Sequence, residues 1–239
     1  MPTTLSGRGG KQRRGPSSAA DSSRAADVSS ATPGATNTGG RARDPLALRD
    51  LLAEVRGCRF CADLPLGPRP VLRASATAKL LIVGQAPGTR VYASGVPWDD
   101  PSGDRLRDWL GLDRASFYDE SRIAIVPMGL CYPGRGRAGD LPPRPECAPR
   151  WHGRILAQLP ALELTLLVGR YALDYYLGGD RGSLAARIRA WPVLAAQQLP
   201  LVHPSPRNRR WLKTNPWFEA EVIPVYRRRV AACLSISHC

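Results

Sequence analysis

The chain has 239 residues, with 34 Lys and Arg against 20 Asp and Glu, a formal charge of +14 and a pI near 10.3. That length suits one domain plus a tail, and the positive balance points to a polyanionic partner, because lysine and arginine neutralise phosphates and release counterions. No stretch approaches the ~20 apolar residues of a membrane span, and the N-terminus lacks a signal peptide's apolar core. Both observations argue against a membrane or secreted protein and point to a bacterial cytosol or nucleoid.

Residues 1–45 are rich in Gly, Ser, Ala, Thr and Arg and hold almost no large apolar side chains. They cannot bury enough surface to offset ordering entropy, so a disordered basic tail is expected there, with the folded domain over 46–239. The tail carries +4, which leaves +10 on the rest. Asp44 reads as the cap of a helix running through Pro-Leu-Ala-Leu-Arg-Asp-Leu-Leu-Ala-Glu-Val.

Cys58 and Cys61 follow as Cys-x-x-Cys, and Cys131 and Cys147 come later in loops rich in proline and glycine. Cys-x-x-Cys puts two thiolates on one turn, and a second, looser pair completes a four-sulfur site for either zinc or a [4Fe–4S] cluster. Cys233 and Cys239 fall outside this pattern and read as a helix-packing thiol and a frayed-end thiol.

Four short apolar runs come next, at 79–84, 123–127, 164–169 and 199–203, each bounded by Gly or Pro. Apolar runs without alternation suggest strands buried on both faces of a parallel sheet. Helical patterns at 104–112, 150–159, 170–177, 183–190 and 216–234 lie between or after them. The expected fold is α/β, a three-layer α/β/α sandwich on a mainly parallel four-stranded sheet. Its ligand site belongs at the carboxyl ends of the strands.

The first run ends in Gly84-Gln85-Ala86-Pro87-Gly88 and the last in His203-Pro204-Ser205-Pro206-Arg207-Asn208. In this order and spacing the pair resembles the uracil-DNA glycosylase superfamily, whose members carry a Gly-[Gln/Glu/Leu]-[Asp/Ala]-Pro loop early and a His-Pro-Ser motif late. The four cysteines resemble the layout of its iron–sulfur branches, with fifteen residues between Cys131 and Cys147. The similarity covers roughly 46–230.

The resemblance implies hydrolysis of the N-glycosidic bond of a damaged base in DNA, with the base flipped from the stack or presented on a single strand. It implies a [4Fe–4S] cluster on Cys58, Cys61, Cys131 and Cys147, zinc being the lesser alternative. His203 matches the histidine that donates to O2 of the leaving base, and Trp98 the aromatic that stacks on it. Gly84, Ala86, Pro87 and Gly88 match the early loop. Ala86 stands where the best-known branch has an aspartate.

Ser102-Gly103-Asp104-Arg105 is similar to a turn whose aspartate positions water in one iron–sulfur branch. Asp104 is therefore the first candidate for that role, with Asp99, Asp100 and Gln85 behind it; as a helix N-cap it reads equally well. Pro127 replaces an asparagine that reads the uracil edge, so base recognition is expected from backbone groups near Met128 and Gly129, from other side chains, or for a different base. Ser205, Asn208 and Arg209, with Arg207, Arg210 and Trp211, form a loop expected to hold phosphate and wedge beside the flipped nucleotide. Arg135 and Arg137 add a second phosphate contact.

No lysine stands beside the motifs to form a Schiff base, so a lyase step is not expected. DNA is the one partner inferred, and a monomer is expected. Two other readings remain at this point: a member of the superfamily that binds DNA without efficient hydrolysis, and a zinc protein of unrelated function.

Overall fold

A computed structural model describes residues 45–137, 139–179, 182–190 and 197–235. The expected tail, but for Pro45, lies outside these residues, as do Asp44 and Cys239.

The elements begin with helix α1 (Pro45–Arg56) and strand β1 (Leu80–Val83), followed by helices α2 (Thr89–Ser94), α3 (Pro101–Leu110) and α4 (Arg114–Phe117). Strand β2 (Ile123–Ile125), the two-residue strands β3 (Arg135–Gly136) and β4 (Gly139–Asp140), and helix α5 (Cys147–Leu156) come next. The chain continues with β5 (Leu164–Val168), α6 (Arg170–Leu177), α7 (Leu184–Arg189), β6 (Gln198–Leu201), α8 (Arg209–Thr214) and α9 (Ile223–Cys233).

β2, β1, β5 and β6 lie side by side in that order, all parallel. The sheet is the one expected, and its burial explains the unbroken apolar runs. Leu80 and Ile82 join a core with Leu106, Trp109 and Leu110 of α3 and with Tyr226 and Val230 of α9. Leu81 and Val83 face the other way, onto Leu51, Leu52 and Val55 of α1 and Trp151 and Ile155 of α5. Every second residue thus enters a different core, and each such side chain contributes roughly 1.5–3 kcal/mol of burial. Helix α9 keeps its thiol, Cys233, buried against the carbonyl of Lys79.

Helix α3 starts earlier than the pattern at 104–112 indicated. Asp100 caps it and Pro101 occupies its first turn, where a missing N–H costs nothing. β3 and β4 pair as a small antiparallel hairpin that no apolar run announced. Among the described residues, no helix is long and apolar enough to cross a membrane.

Candidate active site

The carboxyl ends of all four parallel strands open into one cavity of about 570 Å3. Gly84 to Gly88 follow β1, Pro127 follows β2, Tyr171 lies past β5, and His203 with Ser205 to Asn208 follows β6. Pro97, Trp98, Asp100 and Ser102 close one side, and Asp140 and Leu141 reach in from the hairpin. Parallel strands all point the same way, so residues far apart in sequence meet here.

His203 is held by its own loop. The backbone N–H of Ser205 donates to Nδ1 at 3.2 Å, and Asn208 Nδ2 donates to the His203 carbonyl at 2.7 Å. Because Nδ1 accepts, the ring's single proton sits on Nε2. Burial pushes the imidazole down to about 4, so it is neutral near pH 7.

The Trp98 indole lies beside it, with ring centroids 5.3 Å apart and planes tilted by 32°. Trp98 has φ +59, a left-handed conformation that costs a non-glycine residue about 1–3 kcal/mol. The surroundings hold it there. Arg107 Nη1 donates to the Trp98 carbonyl at 3.3 Å, and Tyr118 donates to the Pro97 carbonyl at 3.0 Å. The close approach also explains two glycines. A Cβ on Gly84 would meet the indole at 2.7 Å, and one on Gly103 would meet the Trp98 carbonyl oxygen at 1.7 Å.

The carboxylate that lines the cavity beside Trp98 is Asp100, not Asp104. Asp100 accepts from the Gly103 N–H at 2.8 Å, and burial raises its carboxyl above the usual range against the pull of that bond. Asp104, one turn on, is 73% exposed and pairs with Arg107. Asp99 pairs with Arg114, whose hydrogen bond lowers its carboxyl. The difference follows from the helix start: with Asp100 as cap, Asp104 faces outward.

Gln85 and Ala86 line the cavity. Met128 does not; it is buried in the core beneath, and its N–H donates to the Gly84 carbonyl at 2.9 Å. The Gly129 N–H likewise donates to the Gln85 carbonyl at 2.9 Å. These two N–H groups hold the early loop and are not free to read a base. Arg209 is exposed at the start of α8, outside the lining.

Sequence reasoning missed Tyr171, Asp140 and Leu141. Tyr171 was within reach of the carboxyl-end rule, since it lies just past β5. It also missed His152, which is 1% exposed behind the cavity wall. Its Nε2 donates to the Pro127 carbonyl at 3.0 Å, which leaves Nδ1 to accept from the Tyr176 hydroxyl at 2.7 Å.

The profile of a family described as "Uracil DNA glycosylase superfamily" matches residues 73–227, from the segment before β1 into α9. The chain belongs to the uracil DNA glycosylase superfamily. Membership supports a glycosylase-like hydrolase with DNA as its substrate. The superfamily match also spans every lining residue named above.

On the far side of the 127–131 segment, Cys58, Cys61, Cys131 and Cys147 line a second, small cavity. The Leu130 N–H donates to Cys147 Sγ at 3.3 Å. Burial pushes Cys131 up to about 12 and Cys147 up to about 11, and it also raises Cys61. As they lie, no three His, Cys, Asp or Glu side chains among the described residues form a group that could hold a metal ion. The donor chemistry nevertheless suits a thiolate-held centre: four sulfurs on one cavity, one already receiving a backbone N–H.

Proposed function

We propose that the protein is a monofunctional DNA glycosylase that hydrolyses the N-glycosidic bond of uracil or another deaminated base. The observation that carries this reading is the fixed tautomer of His203, whose ring proton sits on Nε2, on a residue that lines the same cavity as Trp98 and Asp100.

Each group has a part in the reaction. Trp98 offers a face on which a flipped base stacks, worth roughly 1–3 kcal/mol. Asp100 orients a water molecule and accepts its proton as the water oxygen bonds to the sugar carbon. The glycosidic bond breaks and its electron pair leaves with the base. Nε2–H of His203 donates to the base oxygen on which negative charge gathers, so the bond tightens toward the transition state. A neutral donor avoids placing a full charge in a cavity that burial disfavours.

Gln85 carries both an amide donor and an acceptor on the lining, as a base edge requires. It takes the reading part expected near Met128, since Pro127 has no side-chain donor and the adjacent N–H groups are bonded. This favours a selectivity other than strict uracil recognition.

The four cysteines would hold a [4Fe–4S] cluster in the iron–sulfur manner of the branch they resemble. Such a cluster ties Cys58 and Cys61, after α1, to Cys131 and to Cys147 at the start of α5, and leaves the hydrolysis to the residues above. A cubane spreads its four ligands wider than a single ion does, which suits thiols that share a cavity wall without closing on one point.

The deciding experiment is base release from labelled oligonucleotides carrying uracil, hypoxanthine or xanthine, with alkali to reveal abasic sites. Strand breaks after alkali support the reading. DNA binding without breaks on any of the three would replace it with a binding role.

A further inference from the structure

Among the described residues, Arg107, His152 and Arg187 are the buried polar side chains, and the two arginines pair with Asp104 and Asp174. His152 instead binds neutral groups, the Pro127 carbonyl at one ring nitrogen and the Tyr176 hydroxyl at the other. A buried polar group outside any ion pair calls for a reason, and this one is bonded to a residue of the cavity lining.

Pro127 has an apolar ring and no N–H, so its carbonyl is its one polar group, and His152 binds that carbonyl from behind the wall at 3.0 Å. The backbone beside it is equally committed. The N–H groups of Val126, Met128 and Gly129 donate to the Ile82, Gly84 and Gln85 carbonyls, and that of Leu130 donates to Cys147 Sγ. Ile125 at the end of β2, and Val71, whose N–H donates to the Leu130 carbonyl, add apolar side chains to the lining here.

β2 and β6 are the opposite edges of the sheet, three strand spacings or roughly 14 Å apart. The cavity therefore has a polar end, at His203, Ser205 and Asn208, and an apolar end, at Val71, Ile125 and Pro127. A ring whose oxygen meets Nε2–H of His203 turns its opposite edge toward Pro127. On a pyrimidine, the atom across the ring from C2 and its oxygen is C5.

We infer that His152 determines specificity: by holding the Pro127 carbonyl behind the wall it keeps that end of the cavity apolar, so the cavity selects a pyrimidine with an alkyl group at C5. The proposal rests on the glycosylase reading for the partner of His203, and it adds the identity of the base. The simplest such base is 5-methyluracil, the deamination product of 5-methylcytosine, at a mispair where extrusion costs least. A methyl group suits an apolar wall, whereas a polar edge turned to that wall is left unpaired. Tyr176 is a positioning residue, since its hydroxyl donates to Nδ1 and so keeps the ring proton on Nε2.

The test uses duplexes with a single target opposite guanine, uracil or 5-methyluracil, and no other thymine in the target strand. Base release from the two is compared, and binding of the two free bases is measured separately by ligand-observed NMR titration. The unmodified protein should favour the methylated base by about tenfold in both. His152→Leu, which frees the Pro127 carbonyl, should lower that ratio by about tenfold, and His152→Gln, which keeps a donor, should restore it. A purely structural role would slow both substrates together and leave the ratio unchanged, which overturns the inference. So does an unmodified protein that shows no preference, prefers uracil, or neither releases nor binds the methylated base. If no duplex releases a base, the glycosylase reading fails, and the free-base ratio still decides the wall.

Discussion

The backbone N–H of Ser205 donates to Nδ1 of His203, and this one bond decides what the imidazole can do. With Nδ1 occupied and the ring neutral down to about pH 4, Nε2–H is a standing donor across the range in which DNA is stable. His203→Ala should lower base release by about 100- to 1,000-fold, as loss of a preorganised donor does elsewhere. Single-turnover kinetics on excess enzyme would show it in the chemical step. Titration of His203 should leave no inflection near its ordinary value of ~6.5.

Asp100 and Asp104 make opposite predictions. Asp100→Asn should reduce the rate by about 100- to 10,000-fold if the carboxylate takes the water's proton. Asp104→Asn should stay within about twofold, because that side chain is largely exposed and outside the cavity. Burial raises the Asp100 carboxyl, so the rate should fall on the acid side at a pH above the ordinary aspartate value. A large loss in Asp104→Asn with little in Asp100→Asn would return the role to Asp104.

The sheet was legible because its strands are buried on both faces, so apolar residues dominate them. Leu80 to Val83 and Leu164 to Val168 could hardly be read otherwise. The motif ends were legible for the same reason: Gly84 and His203 sit where strands of fixed direction stop. The hairpin was not, because strands of two residues containing glycine have no periodicity to detect. Asp100 stands behind Asp104 in the sequence reading because the cap of α3 depends on where Pro101 starts the helix, which spacing alone leaves open by a turn. His152 was hidden in an amphipathic helix, where a histidine among apolar residues carries no mark of its partners.

Gly103 lies where α3 presses on the Trp98 carbonyl. Gly103→Ala would place a carbon 1.7 Å from that oxygen, so the helix or the tryptophan must move. The cost should be about 1–3 kcal/mol, together with weaker base release, since the strained indole loses its seat. Gly153→Ala is the matched control. It lies in α5 with nothing within 4 Å of a new Cβ, and should stabilise by about 0.4–1 kcal/mol. Urea midpoints for the two variants give the comparison directly.

His152 and His203 are both depressed to about 4 by burial, against ~6.5 in an unfolded chain. Below ~6.5 the unfolded chain binds protons that the folded protein refuses, so stability falls as pH drops toward 4. It is fully present above ~6.5. The decline between pH 6.5 and 5 lies above the ordinary carboxylate range and so belongs mainly to histidine. Melting temperature should drop across that interval, and His152→Gln, which keeps a donor for the Pro127 carbonyl, should flatten the drop. A melting temperature that holds steady from pH 7 to 5 would contradict the buried neutral state.

The four thiols sit on the reverse of the wall that forms the active site. Cys131 ends the 127–131 segment, and Cys147 accepts from Leu130 within it while opening helix α5. The same helix carries His152, which bonds the Pro127 carbonyl at the segment's other end. A cluster on these cysteines would therefore brace the floor on which Gly84 and Gln85 are hung by the Met128 and Gly129 N–H groups. Anaerobically purified protein should be brown, with about four irons per chain, and Cys131→Ser or Cys147→Ser should lose colour and iron together. Both variants should also melt at lower temperature and bind abasic-site DNA less tightly, since the floor loses its brace. A thiol binds iron only after losing its proton, so loading must displace protons, and cluster retention should weaken as pH falls. Colourless protein carrying one zinc per chain would keep the brace and discard the cluster.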